Sequence, residues 1–572
     1  MNAQDVIDAA RAGRTLEGVT LENLDLSGQR LDGLKLTKSK LHAVVLNGAS
    51  LRGADLSETQ AVGCSMVGVD LTGARLEQTV LARCDASKVV LRGAHGRDAR
   101  LVACDLSGLD AEKASLEGWA FTRSRLEGSR FVECGLKGAS FDEALAPRSD
   151  FSRSTFERSS LSQAKLAGSR FDGATFLESA LPLADLTACD LEGAKLDTCI
   201  LSEADLRGAA LPKELPRCVL DHVKLSARDR GASPPVPGEG ASADLSGKNL
   251  FFCSMQGVCL VEANLSGANL EMANLAECDL QGADLSGAKL PRTVMMKAKL
   301  IGVKLAGLEL QMTNLSGAVL AGADLSGCHL MMTDLSDADL TGADLSRAFL
   351  MAASLERAAL GGVKLEATRF RSVVFDRTDL RQHPIAGLTF ERCSFVEADL
   401  SGMSLKRTQF PDCDFSKANL ERTNLEDAVL SRANFKETKL SGTVLARARA
   451  KGAYFGEADA TGANLSGAML RRATFLEALL EKTDLRGADL RECFMVRVRA
   501  GQAVFAGCDL SFADLSHGKL QRADLSGANL HMANLHALIS DGANWSGAQR
   551  ATARGTDDDR LAAEAYLPPP VR

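Results

Sequence analysis

Aromatic residues are scarce: two Trp, two Tyr and 22 Phe make up only 5% of the 572 residues. Any core must therefore be mainly aliphatic. No unbroken apolar run approaches the roughly 18 residues that a bilayer-spanning helix needs, which excludes a transmembrane helix. Met1-Asn-Ala-Gln-Asp5 shows no cationic start followed by an apolar stretch, so a signal peptide is not expected. The chain reads as cytoplasmic, with export by a dedicated secretion system as the alternative. A large excess of either charge is also lacking, and a formal charge of −7 is too mild to name a partner. What is present, 45% hydrophobic and 25% charged residues, is enough to fold, so disorder is excluded as the main state. Fifteen cysteines without a secretory signal belong in a reducing compartment as thiols.

The length suits several ordinary domains, but an internal period overrides that reading. From Leu16 to Leu211 every fifth residue is a centre, and 35 of these 40 positions are Leu, Phe or Met; the exceptions are Ala61, Ala86, Gly96, Ala111 and Ala146. After Leu211 the phase slips by one, through Leu220 and Leu225. A second run from Leu245 to Trp545 has 57 of 61 centres large and apolar. A period of five fits neither a helix at 3.6 nor a flat strand at 2. It fits a short strand followed by a corner, repeated. Ala263-Asn-Leu-Ser-Gly267 and Ala283-Asp-Leu-Ser-Gly287 show the unit: a small residue two before the centre, Asn or Asp one before it, Ser-Gly after it. Small residues leave room inside, Leu fills the axis, and Asn, Asp, Ser and Gly suit corners.

On these residues the chain resembles the pentapeptide-repeat family over Leu16 to Trp545. The resemblance implies an all-β fold, a right-handed quadrilateral parallel β-helix with four pentapeptides per coil. Stacked residues should then recur every 20. Phe occupies centres 375, 395, 415, 435, 455 and 475, followed by Met495, which supports that coil from within. The expected organisation is an N-terminal helical cap at 1–15, a first array at 16–225, a Pro/Gly-rich loop or linker at 226–243, a second array at 244–547, and a C-terminal cap and tail at 548–572. At about 4.8 Å per coil the arrays would be rods of roughly 48 and 72 Å.

Chemistry is hard to find. Fourteen cysteines sit two before a centre, where Ala usually stands, and only Cys259 does not. They are expected to fill space, without disulfides or metal. Histidines 42, 95, 222, 329, 383, 517, 531 and 536 fall on scattered offsets, with no two expected on one face at neighbouring coils. Ser and Asp are too common for any triad pattern to carry meaning, and phosphate-binding glycine loops are absent. No enzyme, no cofactor and no metal is the expectation.

Outward apolar residues carry more information. Thirteen Phe and Met are neither centres nor inward small residues, and eleven share the face whose centres run 250, 270 and so on to 530. They are Phe251, Phe252, Met272, Met312, Met331, Met332, Phe349, Met351, Met469, Phe512 and Met532; Met296 and Phe494 lie elsewhere. Residues 251–350 hold only 6 Lys/Arg and 11 Asp/Glu, so charge is also thin there. An apolar stripe on a polar surface is an interaction site unless the chain covers it, and Met suits adaptable contacts. The expected function is a non-enzymatic scaffold or adaptor that binds a protein partner or a second copy through this stripe.

Some members of the resembled family mimic DNA and occupy topoisomerases such as gyrase, which requires a continuous acidic surface. Residues 351–500 hold 24 Lys/Arg against 20 Asp/Glu, arguing against mimicry and, for want of a concentrated basic patch, against nucleic acid. The opening, a short helix and then Gly13-Arg-Thr-Leu-Glu-Gly-Val-Thr-Leu-Glu-Asn-Leu-Asp-Leu-Ser-Gly28, resembles long family members found with bacterial type VI secretion components. That resemblance implies an accessory of effector or spike loading. A secreted effector scaffold and membrane-surface contact are further alternatives.

Overall fold

A computed structural model describes residues 1–225, 243–381 and 385–565. Almost all of the expected linker and the segment after Ala565 therefore lie outside the described residues, as does His383. The chain forms two compact units, residues 1–298 and 299–572. Each is a parallel β-solenoid.

The five-residue unit works as its sequence suggests. Around Leu46 the centre is buried, Gly48 takes φ 65, and the amide of Ala49 closes the corner on the Leu46 carbonyl at 2.9 Å. A left-handed corner every five residues explains why Ser-Gly follows so many centres. Successive coils join at a spacing of 20, with Asp85 pairing with Asp105 and Asp105 with Arg125, all parallel. Four corners per 20 residues make the coil four-sided.

Where the corner is wider, three residues qualify as a strand. The first unit has a five-stranded sheet of β1 (Thr20–Glu22), β2 (Lys40–His42), β3 (Gln60–Val62), β4 (Val80–Ala82) and β5 (Arg100–Val102). It also has a three-stranded sheet of β6 (Thr155–Glu157), β7 (Thr175–Leu177) and β8 (Lys195–Asp197). The second unit has β9 (His329–Met331), β10 (Phe349–Met351), β11 (Arg369–Arg371) and β12 (Phe390–Glu391) in spatial order. Helix α1 (Ala3–Arg11) starts at an Asn2–Asp5 capping box and buries Val6 and Ala9. Helix α2 (Asp558–Glu564) is capped by Asp557 and buries nothing.

The small slot two before the centre does more than leave room. Ser124 Oγ donates to the Leu101 carbonyl at 2.6 Å, Thr79 Oγ1 to Leu56 at 2.8 Å and Cys104 Sγ to Leu81 at 3.4 Å, each 23 residues back. Cysteine there acts as Ser and Thr do. Trp119 fills the same slot, fully buried, and its Nε1 donates to the Gly96 carbonyl at 2.9 Å. One bulky ring thus sits near the centre that has no side chain.

The two runs meet inside the first unit. Glu214 pairs with Asn249 and Val219 with Ser254, so the ladder passes from the first run to the second across the intervening residues. Lys248 occupies a small slot there and reaches the carbonyls of Leu211 and Pro212 at 3.0 and 3.1 Å. Burial lowers its pKa, against the pull of Asp244 and Glu192. It satisfies carbonyls that the irregular Leu211–Pro216 stretch leaves outside the ladder.

Candidate functional site

Side chains alternate along each short strand, so the residues flanking a buried centre must face outward. In β9 and β10 the flanking residues are His329, Met331, Phe349 and Met351. Parallel register sets Met331 beside Met351 and His329 beside Phe349. Met312 and Met332 occupy left-handed corners, at φ 56 and 53, and are 48% and 58% exposed. Glycine would fit that backbone at lower cost. The ladder is intact beneath them: the Met312 amide donates to the Met331 carbonyl and the Met332 amide to the Met351 carbonyl, both at 2.8 Å. The second unit therefore brings Met312, Met331, Met332, Phe349 and Met351 together on adjacent coils. Met331, Phe349 and Met351 are half-buried, and no described segment covers the group.

The other expected residues are more dispersed. Met469 is exposed between Arg449 and Asp489. Phe512 is exposed with its ring edge-on to His531 at 5.5 Å, and Met532 is exposed one coil on. In the first unit Phe251 and Phe252 have ring centroids 6.3 Å apart, Phe252 is 54% exposed, and Met272 lies on the next coil. Counting only Phe and Met missed exposed aliphatics of that unit, including Leu177, Leu183 and Ile200.

The interior of the described coils is closely filled. Leucine-lined interior spaces measure about 20 and 10 Å³, room for about one water. The cysteines are buried except for half-buried Cys259, and all are free. The Cys84 thiol is pushed up to about 11, chiefly by its hydrogen bond with Cys104, and burial raises Cys134 to about 12. Neither is a thiolate at neutral pH.

One expectation about histidine is overturned. His517 and His536 do share a face at neighbouring coils, with rings 5.3 Å apart, and Glu564 of α2 joins them. Its Oε2 lies 3.0 Å from His517 Nε2 and 3.2 Å from His536 Nε2. The pair was hidden because its separation is 19: His517 stands on a left-handed corner and His536 one residue after a centre. Two His and a Glu suit zinc, but the Asp557 amide donates to His536 Nδ1 at 3.1 Å. That bond leaves the neutral ring's proton on Nε2, directed at Glu564, where a metal would need the lone pair. The geometry is that of a clasp holding α2. Arg560, first, and also His536 hold the Glu564 carboxyl below its ordinary range.

The repeats match known family models. A family model described as "Pentapeptide repeats (8 copies)" matches residues 39–78, 134–173, 149–182, 183–213, 241–271, 259–296, 298–336, 313–350, 333–371, 451–487, 461–497 and 503–537. Another, "Pentapeptide repeat region", matches 368–445 and 385–465. Among solved structures, a trypsin-treated variant of QnrB1, a plasmid-mediated fluoroquinolone resistance protein, is 24% identical over 36% of this chain and 92% of its own, with a TM-score of 0.25. HetL, a protein involved in heterocyst differentiation regulation from the cyanobacterium Nostoc sp. strain PCC 7120, is 24% identical over 52% of this chain and 97% of its own, with a TM-score of 0.16. Among curated proteins none matches.

Proposed function

The chain belongs to the pentapeptide-repeat family, and from that premise we propose that it is a non-catalytic scaffold that docks a protein partner on its outward Met and Phe residues. The observation that carries the reading is the outward cluster on adjacent coils of the second unit, with Met312 and Met332 exposed and Met331, Phe349 and Met351 half-buried beside them. Met312 and Met332 stand on left-handed corners, which elsewhere in the chain hold mostly glycine or charged and polar residues and seldom a large apolar one. Exposed Phe252 and Met272, with half-buried Phe251, form a smaller group in the first unit.

Affinity capture from the native host tests this, with wild-type protein beside Met312→Lys/Met332→Lys and light scattering on both. The expected result is loss of a captured protein, or of a dimer if the partner is a second copy, from a variant that melts normally. Unchanged capture and unchanged mass would sink the proposal. The alternative, a DNA-mimicking topoisomerase binder, calls for continuous acidic charge, and the stretch with 24 Lys/Arg against 20 Asp/Glu speaks against it. Service to type VI secretion is the narrower reading, supported by the resemblance of residues 13–28; recovery of such components in the same capture is its test.

A further inference from the structure

The face that carries Met331 and Met351 changes character within one rung. Met351 pairs in register with Arg371, and Phe349 with Arg369. From centre 370 to centre 490, the outward positions of this face hold nine Lys/Arg against four Asp/Glu. Some of these cations are engaged, as Arg432 is with Asp412 and Arg491 with Asp489. Arg369, Arg392, Arg449 and Lys451 are exposed, and among the described residues none has a carboxylate within ion-pair distance.

The ladder is incomplete where the two surfaces meet. Strand β10 pairs with β11 through three residues, but β11 pairs with β12 only through Phe370–Phe390 and Arg371–Glu391. The rung that would join Arg369 to Thr389 is open. A cleft of about 530 Å³ lies there, lined by Phe349, Arg369, Arg371, Thr389 and Glu391 among others. An apolar patch, a cleft and a run of unpaired cations thus follow one another on a single face.

Resting on the scaffold reading above, we propose that the occupant of this face is a protein segment with an apolar half followed by an acidic half. The apolar half lies on Met312, Met331, Met332, Met351 and Phe349. Carboxylates of the acidic half reach Arg369 at the cleft and then Arg392, Arg449 and Lys451. Charge complementarity selects the second half, and exclusion of water from the methionines selects the first. A nucleic acid would present phosphates along its whole length, leaving the apolar patch without a counterpart, and the four carboxylates among the cations would repel it. From centre 310 to centre 450 is seven rungs, about 34 Å at about 4.8 Å each, which about ten extended residues span.

The test uses the full chain and fluorescence anisotropy with labelled synthetic peptides of about twelve residues. One has a Leu/Ser half followed by a Glu/Ser half; a control has the same composition with Leu and Glu alternating. The block peptide is expected to bind about tenfold tighter than the control and to weaken as salt rises. Arg369→Glu/Arg449→Glu should remove at least that tenfold preference while leaving the melting curve unchanged. Equal binding of an all-Leu/Ser peptide would overturn the acidic assignment while leaving the scaffold reading in place. Tighter binding of a single-stranded oligonucleotide would overturn it in favour of nucleic acid. No binding of the block peptide at low salt, with capture in the host still lost in the Met312→Lys/Met332→Lys variant, would also reject the inference and spare the scaffold reading.

Discussion

Within the second unit, residues 299–365 and residues 366–500 are built on one kind of ladder and differ both inside and out. Their rungs are alike: the Leu335 amide meets the Ser354 carbonyl at 2.8 Å, and the Phe395 amide meets Asp414 at 2.7 Å. Inside, the first stretch is filled by leucine. The second stacks Phe375, Phe395, Phe415, Phe435, Phe455 and Phe475, with ring centroids 4.8 to 5.1 Å apart. Outside, the first presents methionine and the second arginine. The comparison teaches that inward and outward positions vary independently, because the backbone bonds that make the coil involve neither side chain. Interior residues then set stability, and outward residues are free to set recognition.

The largest expected effect breaks the interior of the second stretch. Phe395 is fully buried, stacked on Phe375 and Phe415 and edge-on to Phe390 and Phe410. Phe395→Ala should cost about 4 kcal/mol, against about 3 for Leu335→Ala in the leucine-filled stretch. Denaturant titration of the two variants checks the order; equal costs would mean that the aromatic column adds nothing beyond aliphatic packing.

A smaller effect is expected where the first unit departs from the repeat. Lys248→Met removes the donor that serves the Leu211 and Pro212 carbonyls, and should cost about 1.5 kcal/mol, with its half-exposure keeping the figure low. Hydrogen exchange should localise the loss to the coils around 211 and 250. A uniform change along the unit would contradict that placement.

The C-terminal clasp should respond to acid. Because Arg560 and His536 depress the Glu564 carboxyl, its contribution is fully present above the unfolded carboxyl value and is lost as pH falls through the lower folded one. Protection of α2 amides, taken relative to their intrinsic exchange rates, should therefore fall as acid protonates that carboxylate, and Glu564→Gln should show the reduced protection already at neutral pH. Helix α1, anchored by buried Val6 and Ala9, provides the contrast of an apolar plug.

Much of this was legible in the sequence, for physical reasons. The period of five fixes corners and centres because each has one chemical requirement, so Ala263-Asn-Leu-Ser-Gly267 announces its coil. What escaped depends on neighbours 19 to 23 residues away. Trp119 lies against Gly96 through a carbonyl 23 residues back, and the His517–His536 pair is separated by 19. The arginines around 369 to 491 were hidden by summing charge along residues 351–500. Summation by segment gives a near balance, whereas one face carries nine cations against four anions. Face, in a solenoid, is the informative coordinate.

The claim that interior and exterior act separately is tested most directly on Met312→Gly/Met332→Gly. Both positions have left-handed backbone that glycine adopts at no steric cost, so the unfolding midpoint should stay the same or rise by up to about 1 kcal/mol in stability. Binding of the partner, or of the apolar-then-acidic peptide, should fall by about tenfold or more in the same preparation. A variant that keeps its binding, or that loses stability in step with it, would contradict the account.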